Sequence, residues 1–432
     1  MTSHAQSSTL PLSVLRRTGF AFALLCSLTA VAQLPIQAQT FTVLHSFTGG
    51  IDGGGPNGGL IVQQSNLYGL AAGGGSAGFG LAFKLDRRGT GWLLTSLYSF
   101  AGVEDGPDGA DPTGQLAFGP DGRLYGTTFT GGVDCFNQGY GCGTVFSLAP
   151  PARATGNVLG SWTETQLYAF PNIVEGRWPE YGSLVFDPSG NIYGTTINGG
   201  HNGLGNVYQL TRSGDSWTEN NLYSFSGADG EGPFSGVIRD AAGNLFGTAI
   251  QGGGGPLYLC PNGCGTVYEL SPSATGWTEN TIYVFQGGSD GATPVGGLIL
   301  DAFGNLYGTT SAGGVPSGGT VFRLTPSSNG WTHTVLWSFI GFQGPYATLT
   351  MDTAGNIYGT TSKDGPQYGL GSVFKLAPVN GGWTETDLYQ FTGGSDGWYP
   401  VSTVSIDQQG NLYGTASWGG AYGYGTVWEI TP

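Results

Sequence analysis

Apolar and polar residues alternate along this chain in short runs of five to nine, rich in Val, Thr, Tyr, Phe and Trp and bounded by Gly, Asn, Asp and Pro. That is a strand pattern. After residue 38 no stretch keeps apolar spacing at a helical period for three turns, so an all-β chain is expected. The runs come in a fixed order of four. The first follows a proline, as in Pro112 then Leu116-Ala117-Phe118, or Pro294 then Leu298-Ile299-Leu300. The second is Leu/Ile, Tyr/Phe, Gly, often entered through Gly-Asn; the third reads Gly-Thr-Val-Phe-x-Leu; the fourth runs from a Trp to a Phe eight residues later.

The second segment occurs seven times, with glycines at Gly69, Gly126, Gly194, Gly247, Gly308, Gly359 and Gly414, spaced 57, 68, 53, 61, 51 and 55 residues apart. Such a period marks an array of small β-sheets. In the fourth segment Trp217, Tyr223 and Phe225 fall on alternate residues and are expected on one face, with Leu222 on the other. A sheet apolar on both faces must be packed on both, and sheets arranged radially meet that need. Six complete fourth segments follow their third. The seventh unit stops at Ile430, and its missing strand stands at the other end, residues 41–47. Pairing of that strand with the last unit would seal a ring, where a linear solenoid would need caps. The expected fold is a seven-bladed β-propeller of four-stranded blades, one domain over residues 39–432.

Residues 1–38 read as a signal peptide: Arg16-Arg17, an apolar run over residues 20–32, then small residues suited to cleavage after Ala32 or Ala38. The run is short for a membrane span, and no C-terminal anchor is expected. A secreted or cell-surface protein follows. The chain carries a net charge of −15, and loss of residues 1–38, with two Arg and no acid, deepens it to −17. Nucleic acid is therefore not an expected ligand. Acids on outer strands, Glu164, Glu219, Glu279 and Glu385, are expected to be exposed and to discourage edge pairing. A monomer is expected. Of the cysteines after the leader, Cys135 and Cys142 share one loop and Cys260 and Cys264 the equivalent loop two units on. Two local disulfides fit an exported chain better than a zinc site, which needs four converging ligands.

The consensus Gly-Asn-Leu-Tyr-Gly-Thr-Thr, then Gly-Gly, then Gly-Thr-Val-Phe-x-Leu, clearest over residues 304–324, resembles the Gloeo-Verruco (GloVer) tandem repeat of bacterial exported proteins. The resemblance covers all seven units and implies an extracytoplasmic protein. It brings no catalytic residues.

Candidate chemistry is sparse. The links between units carry Asp-Gly, as at Asp52, Asp229, Asp290 and Asp396, where Asp can cap the backbone of a turn and Gly supply positive φ. In unit two, Glu104, Asp105, Asp108 and Asp111 cluster within eight residues, and Asp105, Asp108 and Asp111 are candidate calcium ligands. The loops between second and third strands carry aromatics, Phe136, Tyr140, Tyr258, Tyr368, Trp418, Tyr422 and Tyr424, suited to stacking on sugar rings or on one another. His45 and His333 fall in strands and His201 stands alone in a loop. No nucleophile elbow, zinc-protease or phosphate-loop motif is present. The reading is a secreted propeller without enzymatic chemistry that binds an extracellular ligand, polysaccharide first, through one loop face. The alternatives are a polysaccharide-acting enzyme with carboxylates at the channel mouth and a protein-interaction ring of the cell surface.

Overall fold

The structure is a computed structural model of the chain. It describes residues 39–102, 108–133, 141–151, 161–172, 174–256, 258–364 and 369–432, and the expected signal peptide lies outside them. The described residues hold strands and turns with no helix, arranged as seven antiparallel sheets in a ring. Blade 3 is typical: from the centre outward its strands are Val185–Phe186, Ile192–Thr196, Asn206–Ser213 and Ser216–Ser224. The post-proline segment pairs over only two residues in most blades, because its first half curves around the central channel rather than along its neighbour. Blade 6 carries an added innermost strand, Gly341–Pro345.

The seventh blade closes as the strand count requires. Thr40–Ser46 pairs antiparallel with Thr426–Thr431, Thr40 opposite Thr431 and Ser46 opposite Thr426. Phe47 is fully buried against Phe83 of blade 1, ring centroids 5.3 Å apart. The Gly55 N–H donates to the Tyr424 carbonyl at 2.9 Å, so backbone bonds cross the closure as well.

The repeat signature has a steric origin. In all seven blades the glycine of the second strand stands opposite the aromatic of the third: Gly69 opposite Phe83, Gly194 opposite Tyr208, Gly308 opposite Phe322, Gly414 opposite Trp428. A Cβ on Gly69 or Gly308 would sit 2.6 Å from the ring tip of that aromatic. Only glycine lets the ring lie flat across the strand and reach the preceding blade's face. The following threonine ties blades together: Thr195 Oγ1 donates to the Ser235 carbonyl of blade 4 at 2.9 Å, and Thr360 Oγ1 to that of Ser402 in blade 7 at 3.1 Å.

Two expectations are corrected. Trp217 does not share a face with Tyr223 and Phe225. A bulge leaves Leu222 unpaired between Asn221 and Tyr223 and reverses the alternation. Trp217 therefore packs toward blade 2, and Tyr223 and Phe225 toward blade 4. All fourth strands carry this bulge. One strand thus feeds two of the seven inter-blade cores, and the core is a ring of seven cells rather than one centre. The second correction concerns Glu164, Glu219, Glu279 and Glu385. They lie two residues past the tryptophan, on the same face, and are half-buried between blades rather than exposed. Burial pushes Glu164 and Glu219 up to about 7, aided by the nearby Asp108 and Glu175 respectively.

The Asp-Gly links are turn caps. Asp108 accepts from the Ala101 N–H (3.0 Å) and the Tyr98 hydroxyl (2.6 Å). Asp290 and Asp396 repeat the pattern with Gln286 and Tyr283, and with Thr392 and Tyr389. A second, unforeseen motif closes the opposite face. Asp301 accepts from the Phe303 and Asn305 N–H groups, the Asn305 side-chain amide and the Tyr307 hydroxyl at 2.7–3.1 Å. Asp187, Asp352 and Asp407 do the same. These hydrogen bonds hold Asp187, Asp301 and Asp352 below the usual carboxylate range despite their burial.

Two predictions follow from this packing. Deleting residues 41–47 leaves blade 7 without its outer strand and empties the cell between blades 7 and 1. A loss of cooperative thermal unfolding is expected, and an unchanged melting curve contradicts ring closure. Two of the inter-blade glutamates, Glu164 and Glu219, have folded pKa values above the unfolded carboxylate value. Their contribution is therefore complete below about pH 4.3 and lost as pH rises through about 7. Calorimetry should give a lower Tm at pH 8 than at pH 5.5, with the difference reduced in Glu164→Gln and Glu219→Gln.

Candidate binding site at the channel mouth

The channel is lined by the post-proline segments of all seven blades. These segments are small-residue rich because they touch. A Cβ on Gly58 would fall on the Gly114 carbonyl oxygen, and one on Gly296 would lie 2.5 Å from that of Ala347. The channel narrows here to a void of about 40 Å³, room for a water-sized group and not for a sugar ring.

Above this void the backbone is strained in a repeating way. Outside blade 6, where Gly344 donates to the Ser311 carbonyl without left-handed φ, the residue before the inner proline reaches back to the preceding blade with its N–H: Asp111 to the Phe79 carbonyl, Trp178 to Cys142, Gly232 to Leu204, Thr293 to Cys264, Tyr399 to Leu370, at 2.8–3.0 Å. The latch in these blades takes left-handed φ. Gly55 and Gly232 adopt it at 61° and 65°, but so do Asp111 (52°), Trp178 (61°), Thr293 (56°) and Tyr399 (61°). Left-handed conformation costs a side-chain-bearing residue on the order of 1 kcal/mol or more, and a following proline disfavours it further. Where glycine serves in two blades, four others accept strain and thereby hold side chains at the rim.

Two of those side chains, Asp111 and Tyr399, line a cleft of about 480 Å³ bordered by blades 7, 1, 2 and 3, together with Asn57, Tyr181, Trp418 and Tyr424. Tyr181 stacks on Phe234 (centroids 4.9 Å, planes 25° apart) and Trp418 on Trp398 (6.2 Å, 26°). Trp418 remains 49% exposed, so one face is open to a ligand. Lys363 Nζ lies 5.9 Å from the Tyr399 ring centroid, and the Arg177 guanidinium 4.2 Å from Trp178. Asp111 is exposed as a residue, but partial burial of its carboxyl in the cleft raises its pKa, and it accepts from Thr130 Oγ1 at 3.2 Å.

Blade 3 departs from the others in one respect. Proline and the next core Leu or Val are four positions apart in six blades, as from Pro233 to Val237, and five apart from Pro179 to Leu184. The extra residue is Glu180, beside Tyr181 and within electrostatic reach of Tyr346 from blade 6, and it lines neither the void nor the cleft. It is the one charged side chain of the post-proline segments. Glu180 is half-buried, and burial pushes it up to about 7.

Among the expected site residues, Trp418 and Asp111 come together in the cleft, and Tyr424 joins them. Tyr422 is 62% exposed on the same loop without lining the cleft, and Tyr258 is 85% exposed on the blade 4 loop. Phe136, Tyr140, Tyr368, Asp105 and Cys135 lie outside the described residues. Asp108 and Asp111 bond to different partners, and no group of three or more His, Cys, Asp or Glu among the described residues is placed to hold a metal ion. Cys260 and Cys264 form a disulfide, and buried Cys142 is disulfide-bonded too. Sequence reasoning missed Asn57, Glu180, Tyr181 and Tyr399. The extra residue after Pro179 and the bulky residues before Pro112, Pro179 and Pro400 were the available signals.

The fold and the mouth site define a seven-bladed β-propeller with a closed channel and one aromatic loop face. The Gloeobacter/Verrucomicrobia repeat matches residues 28–169 and 137–344, well over half the chain, and the protein belongs to that repeat family. No curated protein matches it. Solved structures share the general architecture at low identity. A putative 6-phosphogluconolactonase from Bacteroides uniformis is 14% identical (81% of this chain and 88% of that one covered, TM-score 0.48). A polysaccharide lyase described as an ulvan lyase is 10% identical (87% and 92%, 0.46). A gluconolactonase from Xanthomonas campestris is 12% identical (58% and 71%, 0.35).

Strain at the rim makes a prediction. Thr293→Gly relieves a left-handed φ at a residue outside the cleft and should raise stability by up to about 1 kcal/mol, seen as a higher midpoint in urea. A lower midpoint means that the threonine side chain contributes more than its strain costs.

Proposed function

We propose that this protein is an exported propeller that binds an extracellular saccharide across the mouth of its channel. The carrying observation is the cleft. Its volume lies in the range of ligand sites. Aromatic faces from separate blades border it, and Asp111 and Asn57 supply polar groups among them. Rings against the apolar faces of a pyranose, with a few polar groups at its hydroxyls, are the chemistry such a ligand needs. The narrow void beneath makes the ligand lie over the mouth rather than thread the ring. Disulfides in two loops suit an oxidising compartment, and no helix among the described residues is long and apolar enough to cross a membrane.

A second reading, cleavage of the bound glycan, has one observation in its favour: Asp111, a cleft carboxyl, has a raised pKa. A glycan array identifies the ligand, and new reducing ends on incubation would establish cleavage. Trp418→Ala and Tyr399→Ala should each weaken binding of the array hit by about tenfold or more, at about 1.4 kcal/mol per decade, with little change in Tm. Full affinity in both variants would place the ligand elsewhere.

A further inference from the structure

We propose that the sugar seats on the seam between blades 7 and 1, over Gly55, and that this seat takes an uncharged glycan. The inference rests on the saccharide reading and adds the place of the ligand and its chemical class.

The repeat supplies the comparison. At the seam between blades 3 and 4 the latch residue is Gly232, and the space above it is filled. A Cβ there would lie 3.2 Å from Ile250 of its own blade and 3.6 Å from Ile197 of the preceding one. At the seam between blades 7 and 1 the latch residue is again glycine, with the same backbone bonds. The Gly55 N–H donates to the Tyr424 carbonyl at 2.9 Å, and its carbonyl accepts from the Ala72 N–H at 3.3 Å. Gly232 does the same with Leu204 and Ile250 at 2.9 and 3.1 Å. By these bonds Ala72 stands where Ile250 stands, and Ser417 of blade 7 where Ile197 stands. A Cβ on Gly55 would meet nothing within 4 Å. Gly55, Ala72 and Ser417 all line the cleft. Small residues at one seam thus open the space that two isoleucines fill at another.

The backbone does not forbid a side chain at residue 55. Asp111, Trp178, Thr293 and Tyr399 carry theirs on the same left-handed conformation. A side chain there would take the place of the ligand.

The surroundings set the chemistry. In ring order Gly55 stands between the latch residues Tyr399 of blade 7 and Asp111 of blade 2, so an aromatic ring and a carboxylate flank the open floor. Trp418 and Tyr424 border it, each about half exposed. Asp111 Oδ2 accepts from Thr130 Oγ1 at 3.2 Å. Among the described residues its Oδ1 has no donor and no cation pairs with it. An open carboxylate oxygen accepts a sugar hydroxyl and repels a uronate or a sulfate. Asp111 is also the one charged side chain lining the cleft; Lys363 lies over the Tyr399 ring without lining that space. The net charge of −15 repels an anionic glycan at longer range.

The test is calorimetric titration with the array hit and with matched pairs of 1,4-linked tetramers, each a neutral hexose and its uronate, for glucose, mannose and galactose. In every pair that binds, the neutral member should bind about tenfold tighter or more, and Asp111→Asn should reduce that ratio to about threefold or less. Gly55→Tyr and Ala72→Ile fill the seat from two points of blade 1, and each should weaken binding about tenfold or more. Gly55→Ala carries the same backbone strain with little bulk; it should share the Tm of Gly55→Tyr and bind within about threefold of wild type. Uronates that bind as tightly as their neutral partners, an acidic array hit, or a ratio that survives Asp111→Asn overturns the assigned class. Full affinity in both filled variants overturns the seat. If binding depends on Trp418 and either of these failures is seen, the saccharide reading stands and this inference fails. If neither the array nor the tetramers give binding, both fail.

Discussion

Every blade is organised around one steric exchange, a glycine on the second strand given up so that an aromatic on the third can lie across it. Without a Cβ at Gly69, Gly308 or Gly414 the rings of Phe83, Phe322 and Trp428 settle onto the strand and fill the space toward the neighbouring blade. The Phe ending the preceding blade's fourth strand packs on that ring edge to face, as Phe47 does on Phe83 and Phe285 on Phe322. Seven such cells, each made by two blades, close a ring that has no single core. Stability is therefore a property of the closed circle. The pairing of Thr40–Ser46 with Thr426–Thr431 joins the two ends of the chain and completes it.

A ring this regular makes its irregularities informative. The latch before the inner proline of six blades has a backbone purpose, carrying a hydrogen bond to the previous blade, and glycine satisfies it in blades 1 and 4. Asp111, Trp178, Thr293 and Tyr399 satisfy it at a cost, and what they add is a side chain at the mouth. Glu180 is a second departure, a residue beyond the repeat that adds the one charge of the post-proline segments. The inter-blade glutamates are different. Glu164 and Glu219 recur at one register position, sit between sheets and act on stability through their protonation.

The architecture was legible because it is periodic. Seven copies of Leu/Ile-Tyr/Phe-Gly and a count of Trp-to-Phe segments one short of closure were enough for blade number, strand number and the joining of the ends. Face assignment within the fourth strand was not legible. The bulge at Leu222 is a hydrogen-bonding decision between two strands, and alternation alone puts Trp217 and Tyr223 on the wrong relative sides. Glu219 looked exposed because it stands on an outer strand, and only the packing of that strand between blades half-buries it. Of the mouth residues, Trp418 and Asp111 were found from residue type and loop position. Tyr399, Tyr181 and Asn57 were not, because each stands within two residues of an inner proline in a stretch that reads as ordinary strand.

The sequence by itself determined the number of blades, the strand order within each and the seam that closes them, since these follow from local spacing repeated seven times. Only the tertiary structure decided which side chains meet at the mouth. Asn57, Asp111, Tyr181 and Tyr399 come from four different blades and lie far apart along the chain. What brings them together is the radial closure of the ring, together with left-handed backbone at Asp111 and Tyr399 that no local preference would select.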